Sequence, residues 1–136
     1  MALHSLFWYQ ALDVFFIVFH TALIMFNVTG WAFAKLRKYN LITLLLTAFS
    51  WFGLGICYGW GYCFCTDWHW QVRHQLGYTD QSDSYIAFLI QKLTGIVLPS
   101  AWVDTATVLV FFLSLTASFL FNIRDFKRKK RLRASS

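Results

Sequence analysis

Ala34-Lys-Leu-Arg-Lys-Tyr-Asn40 is a short basic link between two long apolar runs, and its reading decides the fold. Before it lies Ala11 to Phe33, after it Leu41 to Trp60, and a third apolar run covers Trp102 to Phe121. Each holds about 20 residues, which as a helix rising about 1.5 Å per residue crosses a hydrocarbon layer roughly 30 Å thick. A link this short makes the first two helices antiparallel neighbours. Lys35, Arg37 and Lys38 fill it, and Arg124, Lys127, Arg128, Lys129, Lys130, Arg131 and Arg133 crowd the end of the chain. Lys and Arg beside the ends of spans mark the cytoplasmic side, so both clusters belong on one face, which an odd number of crossings satisfies. The expected fold is all-α: an integral membrane helical bundle of three transmembrane helices. Residues 1–123 form a single transmembrane domain and 124–136 a basic cytoplasmic tail. The N-terminus is outside, and the expected location is the inner membrane.

Composition agrees. The chain has 136 residues, 58% hydrophobic and 13% charged, which describes one domain whose main solvent is not water. The net charge of +6 does not point to nucleic acid, because only Arg73 and Lys92 lie outside the two basic clusters. The expected contacts are the bilayer itself and, for the tail, anionic lipid headgroups, at about 1 kcal/mol per cation near the surface. No Lys or Arg precedes the first apolar run, which is longer than a signal-peptide core, so the first helix is expected to stay in the mature chain. Tyr85 to Leu98 is too short to span, carries Gln91 and Lys92, and stops at Pro99, which predicts an interfacial or re-entrant helix in the outer loop. In the same loop Thr66 and Asp67 read as the N-cap of a helix over Trp68 to Leu76, closed by Gly77. Trp60, Trp68 and Trp70 are expected at headgroup depth. Gly55-Ile-Cys-Tyr-Gly59 offers a smooth face for close helix packing.

Three groups of residues can carry chemistry. Asp13, His20 and Asn27 are seven apart and therefore form a polar seam along one face of the first span. His20 falls near mid-depth, where a polar group needs a partner; Thr107, Ser114, Ser118, Thr47 and Ser50 are the expected ones. The plain reading is a histidine hydrogen-bonded between helices, and the functional one is a proton relay or ligand group. The second group, Cys63, Cys65, Asp67 and His69, combines thiol, carboxylate and imidazole within seven residues, as zinc or copper ligands do. Against a metal, only one such cluster is present. The third is redox: Cys63 can bridge to Cys57 or Cys65, a Cys-x-Cys bridge being strained and reactive, whereas Cys57 reads as a small buried packing residue. Haem would depend on His20 with an unusual partner, since His4, His69 and His74 read as lying outside the hydrocarbon. The chain has no Glu, which excludes a carboxylate-bridged di-iron bundle and disfavours two-carboxylate hydrolysis.

Several of these positions resemble a family of short bacterial membrane proteins known as domain of unknown function 2784. Members have a His in the first span followed by a Gly, as His20 and Gly30 here. They also have a Gly- and Trp-rich second span ending in Cys-Pro-Leu-Thr, matched by Cys63-Phe-Cys-Thr66. Gly77-Tyr78, Tyr85 and Leu98-Pro99 match further family positions, and the likeness runs roughly from Asp13 to Asn122. The resemblance implies a compact membrane bundle and no particular activity.

Three functions follow from these residues. The leading expectation is a non-catalytic accessory subunit whose aromatic outer loop contacts a membrane-protein partner, with no catalytic residue assigned. The first alternative is a redox, metal- or haem-handling protein using His20 and the Cys63, Cys65, Asp67 and His69 cluster. The second is proton or small-solute transport along Asp13, His20 and Asn27.

Overall fold

The computed structural model describes residues 3–135, and among them every regular element is helical. α1 (Leu3–Thr29) runs without interruption because no Gly or Pro falls inside it, and it ends in a 3-10 turn at Gly30–Ala32. α2 (Arg37–Ala48) returns alongside, widens into a π-helical stretch at Phe49–Leu54 and finishes as α3 (Gly55–Tyr58). Two short helices follow, α4 (Phe64–Gln75) and α5 (Tyr85–Thr94), and then the long α6 (Ser100–Ala134). Three segments are long and apolar enough to cross a membrane: Leu3–Ala32, Arg37–Tyr58 and Ser100–Ala134. Their outward faces carry exposed Leu45, Ile56, Leu109, Leu113 and Leu120, while His20, Asn40, Ser50, Ser114 and Ser118 are buried. Apolar outside and polar inside is the distribution expected of a chain solvated by hydrocarbon.

The basic tail is not detached from the last span. Lys and Arg are good helix formers, and α6 carries on through them to Ala134, giving a rod about 50 Å long.

At the end bearing the basic link, polar side chains tie the three long helices together. Asn40 is fully buried and donates from Nδ2 to Phe26 O (2.7 Å) and Asn27 O (3.3 Å). Gly30 makes room for it, since a Cβ there would stand 2.8 Å from Asn40 Nδ2. Asn27 Nδ2 donates to Thr47 Oγ1 (3.1 Å), and Thr43 Oγ1 donates to Asn27 Oδ1 (2.7 Å). Arg37 reaches α6, pairing with both oxygens of Asp125 (3.1 and 2.8 Å) over the Phe121 ring.

At the opposite end the chain re-enters the bundle. α3 stops at Gly59, whose φ is +108°, and the following residues double back along the helix they have just left. Gly61 N donates to Trp51 O (3.2 Å) and Ser50 Oγ to Tyr62 O (2.9 Å), so Tyr62 lies beside the middle of the second long segment. The π stretch permits this, because widening the helix frees a backbone carbonyl from its own ladder. The Gly55 and Gly59 pair therefore serves a turn rather than a helix-packing face: Gly59 lies beyond the helix, and Gly55 faces the backbone of Trp60.

α4 starts earlier than the Thr66–Asp67 reading predicts. Cys63, in extended conformation, is the N-cap, and its carbonyl accepts from Asp67 N (3.0 Å), which places Thr66 and Asp67 inside the first turn. Its end is as expected: Gly77 takes φ +82°, with Gly77 N donating to His74 O (3.0 Å) and Tyr78 N to Arg73 O (3.1 Å). α5 is capped by Ser84, whose Oγ accepts from Ala87 N (3.2 Å) and donates to Asp104 of α6. Trp70, Phe88 and Leu89 form a core that packs on Ile17 and Ile24 of α1, so α4 and α5 fill the bundle rather than cover it. Trp70 is accordingly buried among side chains, whereas Cys57, expected to pack inside, is exposed.

Candidate functional site

Asp13 and His20 lie two turns apart on α1, about 10 Å along the axis, and too far to touch. α4 and α5 bridge them. His69, fully buried, places Nε2 2.8 Å from Asp13 Oδ1 and Nδ1 2.6 Å from the Tyr85 hydroxyl. That hydroxyl is also 3.1 Å from His20 Nδ1, which lies 2.8 Å from Phe16 O. The four side chains thus form one hydrogen-bonded chain, and its acceptors assign the protons. A backbone carbonyl cannot donate, so His20 carries its proton on Nδ1 and shares it between Phe16 O and the Tyr85 oxygen. The Asp13 carboxylate accepts from His69 Nε2–H, which leaves His69 Nδ1 to accept the Tyr85 proton. The far nitrogen, His20 Nε2, carries a lone pair and has no hydrogen-bond partner of good geometry among the described residues.

Charge is anchored at the Asp13 end. Arg73, also buried, donates from Nη1 to Asp13 Oδ1 (2.9 Å) and from Nη2 to both oxygens of Asp80 (2.8 and 2.7 Å), and its guanidinium stacks on the Tyr78 and Phe88 rings. Burial would lower the Arg73 pKa, but its hydrogen bonds to Asp80 and Asp13 outweigh that and raise it. The same bond to Arg73 holds the Asp80 carboxyl below the ordinary range. Burial lowers the His69 pKa despite the opposing pull of Asp13. Tyr85 is pushed up, by burial first and then by the nearby Cys63 and Asp13.

Beside the His20 end stands Cys63. Burial alone would push its thiol up; the hydrogen-bonding influence of His20 and Thr66 reverses this and brings it down to about 7. The thiol and the imidazole are close enough for that influence, although no well-aligned bond closes onto Nε2. Cys65, two residues on, is pushed up to about 11 by burial and by its neighbour Cys63.

The expected groupings are rearranged. Asp13 and His20 do share a network, but the hydrogen-bond partners of His20 among the described residues are Phe16 O of its own helix and Tyr85 of α5, not Thr107, Ser114, Ser118, Thr47 or Ser50. Asn27 belongs to the separate cluster with Asn40, Thr43 and Thr47, and among the described residues no hydrogen bond joins it to His20. Cys63, Cys65, Asp67 and His69 do not converge as a ligand set. Asp67 and His69 are two residues apart on a helix, about 200° around the axis, so Asp67 turns to Gln71 while His69 points inward with both nitrogens engaged. Among the described residues no three His, Cys, Asp or Glu side chains are grouped to hold a metal ion. The three cysteines are free thiols. For haem, His20 keeps only Nε2, and His69, expected outside the hydrocarbon, stacks on it with ring centroids 6.3 Å apart. Arg73, Tyr85 and Asp80 were not expected at the site. A signal for Arg73 existed: Asp13 within a span demands a countercharge, and only Arg73 and Lys92 lie outside the basic clusters.

The class so defined is a small helical bundle with three helices long and apolar enough to cross a membrane, packed around a buried titratable chain. The chain belongs to the family described as "Protein of Unknown function (DUF2784)", whose model matches residues 10–123. No curated protein and no solved structure gives a match.

Proposed function

We propose that this protein is a three-span membrane protein that handles protons at a buried site in the outer half of the bilayer. The observation that carries the reading is the uninterrupted chain from His20 through Tyr85 and His69 to Asp13. A bundle that only needed gluing would not place two imidazoles, a phenol, a carboxylate and a guanidinium in its interior, where each is costly unless paired. A proton taken at His20 Nε2 passes along the chain by concerted shifts: His20 Nδ1–H to the Tyr85 oxygen, the Tyr85 proton to His69 Nδ1, and His69 Nε2–H to Asp13. Asp13 and its Arg73–Asp80 partners, the last exposed, form the outlet. The relay serves a group beside His20 rather than a path across the membrane, since Asn27 stands apart from it.

Both basic clusters are assigned to the cytoplasmic face, the α4–α5 end to the outside, and the chain to a cytoplasmic membrane. The tail then lies within reach of anionic headgroups. A partner-binding role is the second reading, favoured by Trp60 and Trp102, which are exposed at the α4–α5 end.

The test is histidine-selective nitrogen NMR of the full chain in lipid nanodiscs. The nitrogen signals should place the ring proton of His20 on Nδ1 and that of His69 on Nε2, as their acceptors require. Tyr85→Phe, which removes the oxygen between them, should shift the Nδ1 signals of both rings. A His20 signal that ignores the loss of that oxygen would reduce the chain to structural glue.

A further inference from the structure

The relay ends on a nitrogen that has nothing to serve except the group next to it. His20 is 96% buried (4% exposed), its Nδ1 is committed, and its Nε2 lone pair is unpartnered among the described residues. Cys63, whose thiol lies within hydrogen-bonding influence of the His20 ring, is the N-cap of the twelve-residue helix α4, where unpaired amides and the helix dipole favour a thiolate. Cys65 follows in the first turn of the same helix, half-buried like Cys63, and both are free. The thiols were noticed in the sequence, but their place was not: re-entry after Gly59 brings Tyr62, the residue before Cys63, back to Ser50, eight residues inside the end of the second long segment.

We propose that Cys63 and Cys65 are a membrane-embedded dithiol that exchanges with small apolar disulfides, Cys63 attacking, His20 acting as its base and Cys65 resolving. This rests on the relay reading for the role of His20. In the first step Nε2 takes the Cys63 proton, the thiolate attacks one sulfur of R–S–S–R, a Cys63–S–S–R bond forms and the R–S bond partner leaves as RS⁻, which recovers the proton from His20. In the second, the Cys65 sulfur attacks the Cys63 sulfur, the Cys63–Cys65 bond forms, and the second RS⁻ leaves with the proton Cys65 gives up. The protein dithiol is oxidised by two electrons and the disulfide is reduced to two RSH. A bridge across Cys-x-Cys is strained and hence readily reversed by an incoming thiol. Depth selects the substrate: a charged disulfide would have to leave water to reach Cys63.

The probe is 4,4′-dithiodipyridine, an uncharged aromatic disulfide, applied to the full chain in nanodiscs with exposed Cys57 replaced by Ser. Both pyridinethiols should be released per protein, with no pyridyl group retained. Cys65→Ser should release one and trap the other on Cys63. The rate should rise with a midpoint near pH 7, where the Cys63 thiol ionises. His20→Gln should return the thiol to its ordinary range and slow the reaction at neutral pH roughly tenfold. Retention of two pyridyl groups, or a midpoint in the ordinary thiol range in the unaltered protein, overturns the proposal without relying on any variant's folding. A doubly anionic aromatic disulfide should react far more slowly; equal rates would overturn the assignment to apolar substrates. The nitrogen spectra repeated in Cys63→Ser separate the two readings: a joint response of both imidazoles to Tyr85→Phe that persists there while the thiol kinetics are ordinary sinks the dithiol alone.

Discussion

His69 is held by Asp13 and Tyr85 and flanked by His20 and Arg73, and burial keeps its folded-state pKa below the ordinary value. The unfolded chain, with an imidazole near 6.5, then binds a proton more readily than the folded one, so stability is complete above that value and falls as the pH drops through it. The neighbouring Arg73–Asp80 pair does not contribute to this slope. Asp80 is held below the carboxylate range, so the pair's contribution is present above about pH 4 and is lost only in stronger acid. The unfolding temperature in mild detergent should therefore decline between about pH 7.5 and 5.5. His69→Gln should flatten that decline whatever it does to the absolute value. A slope unchanged in the variant would assign the acid sensitivity to another group.

Among the elements, α4 matters most, because its N-terminus holds Cys63, its middle His69 and its last turn Arg73. Its course depends on how its ends are built. Gly77 at φ +82° lets the last turn close with two backbone bonds, and a Cβ there would meet nothing within 4 Å, so the cost of a side chain is conformational alone. Gly77→Ala should cost about 1 kcal/mol and raise amide exchange in the last turn of α4 about fivefold. Unchanged exchange would mean that this turn is held by the Arg73 contacts alone. The start of α4 was less legible. Thr66 and Asp67 are better capping residues than Cys63, but the extended backbone that re-enters after Gly59 starts the helix four residues earlier, at Phe64 and not Trp68.

For the whole molecule the decisive quantity is the distribution of charge between its two ends. Arg37 meets Asp125, and Arg124 stacks on Phe121, so the link and the start of the tail lie at the same end of the bundle, as the topology requires. In a cysteine-free full chain, Thr79→Cys should react with an impermeant maleimide on intact cells, and Ser135→Cys only after lysis. The reverse pattern would invert the outlet of the relay.

The number of long helices, their approximate limits, the grouping of the basic clusters and the unusual standing of His20 were all determined by the sequence itself. Hydropathy and charge are sums over neighbouring residues, and an ionisable group inside an apolar run needs no partner in view to be noticed. Which groups meet was decided only by the tertiary structure. Tyr85 is 65 residues from His20, and His69 is 56 from Asp13. No periodicity links positions so far apart; the π stretch and the turn at Gly59 send the chain back into the bundle, and burial there turns the polar groups toward one another.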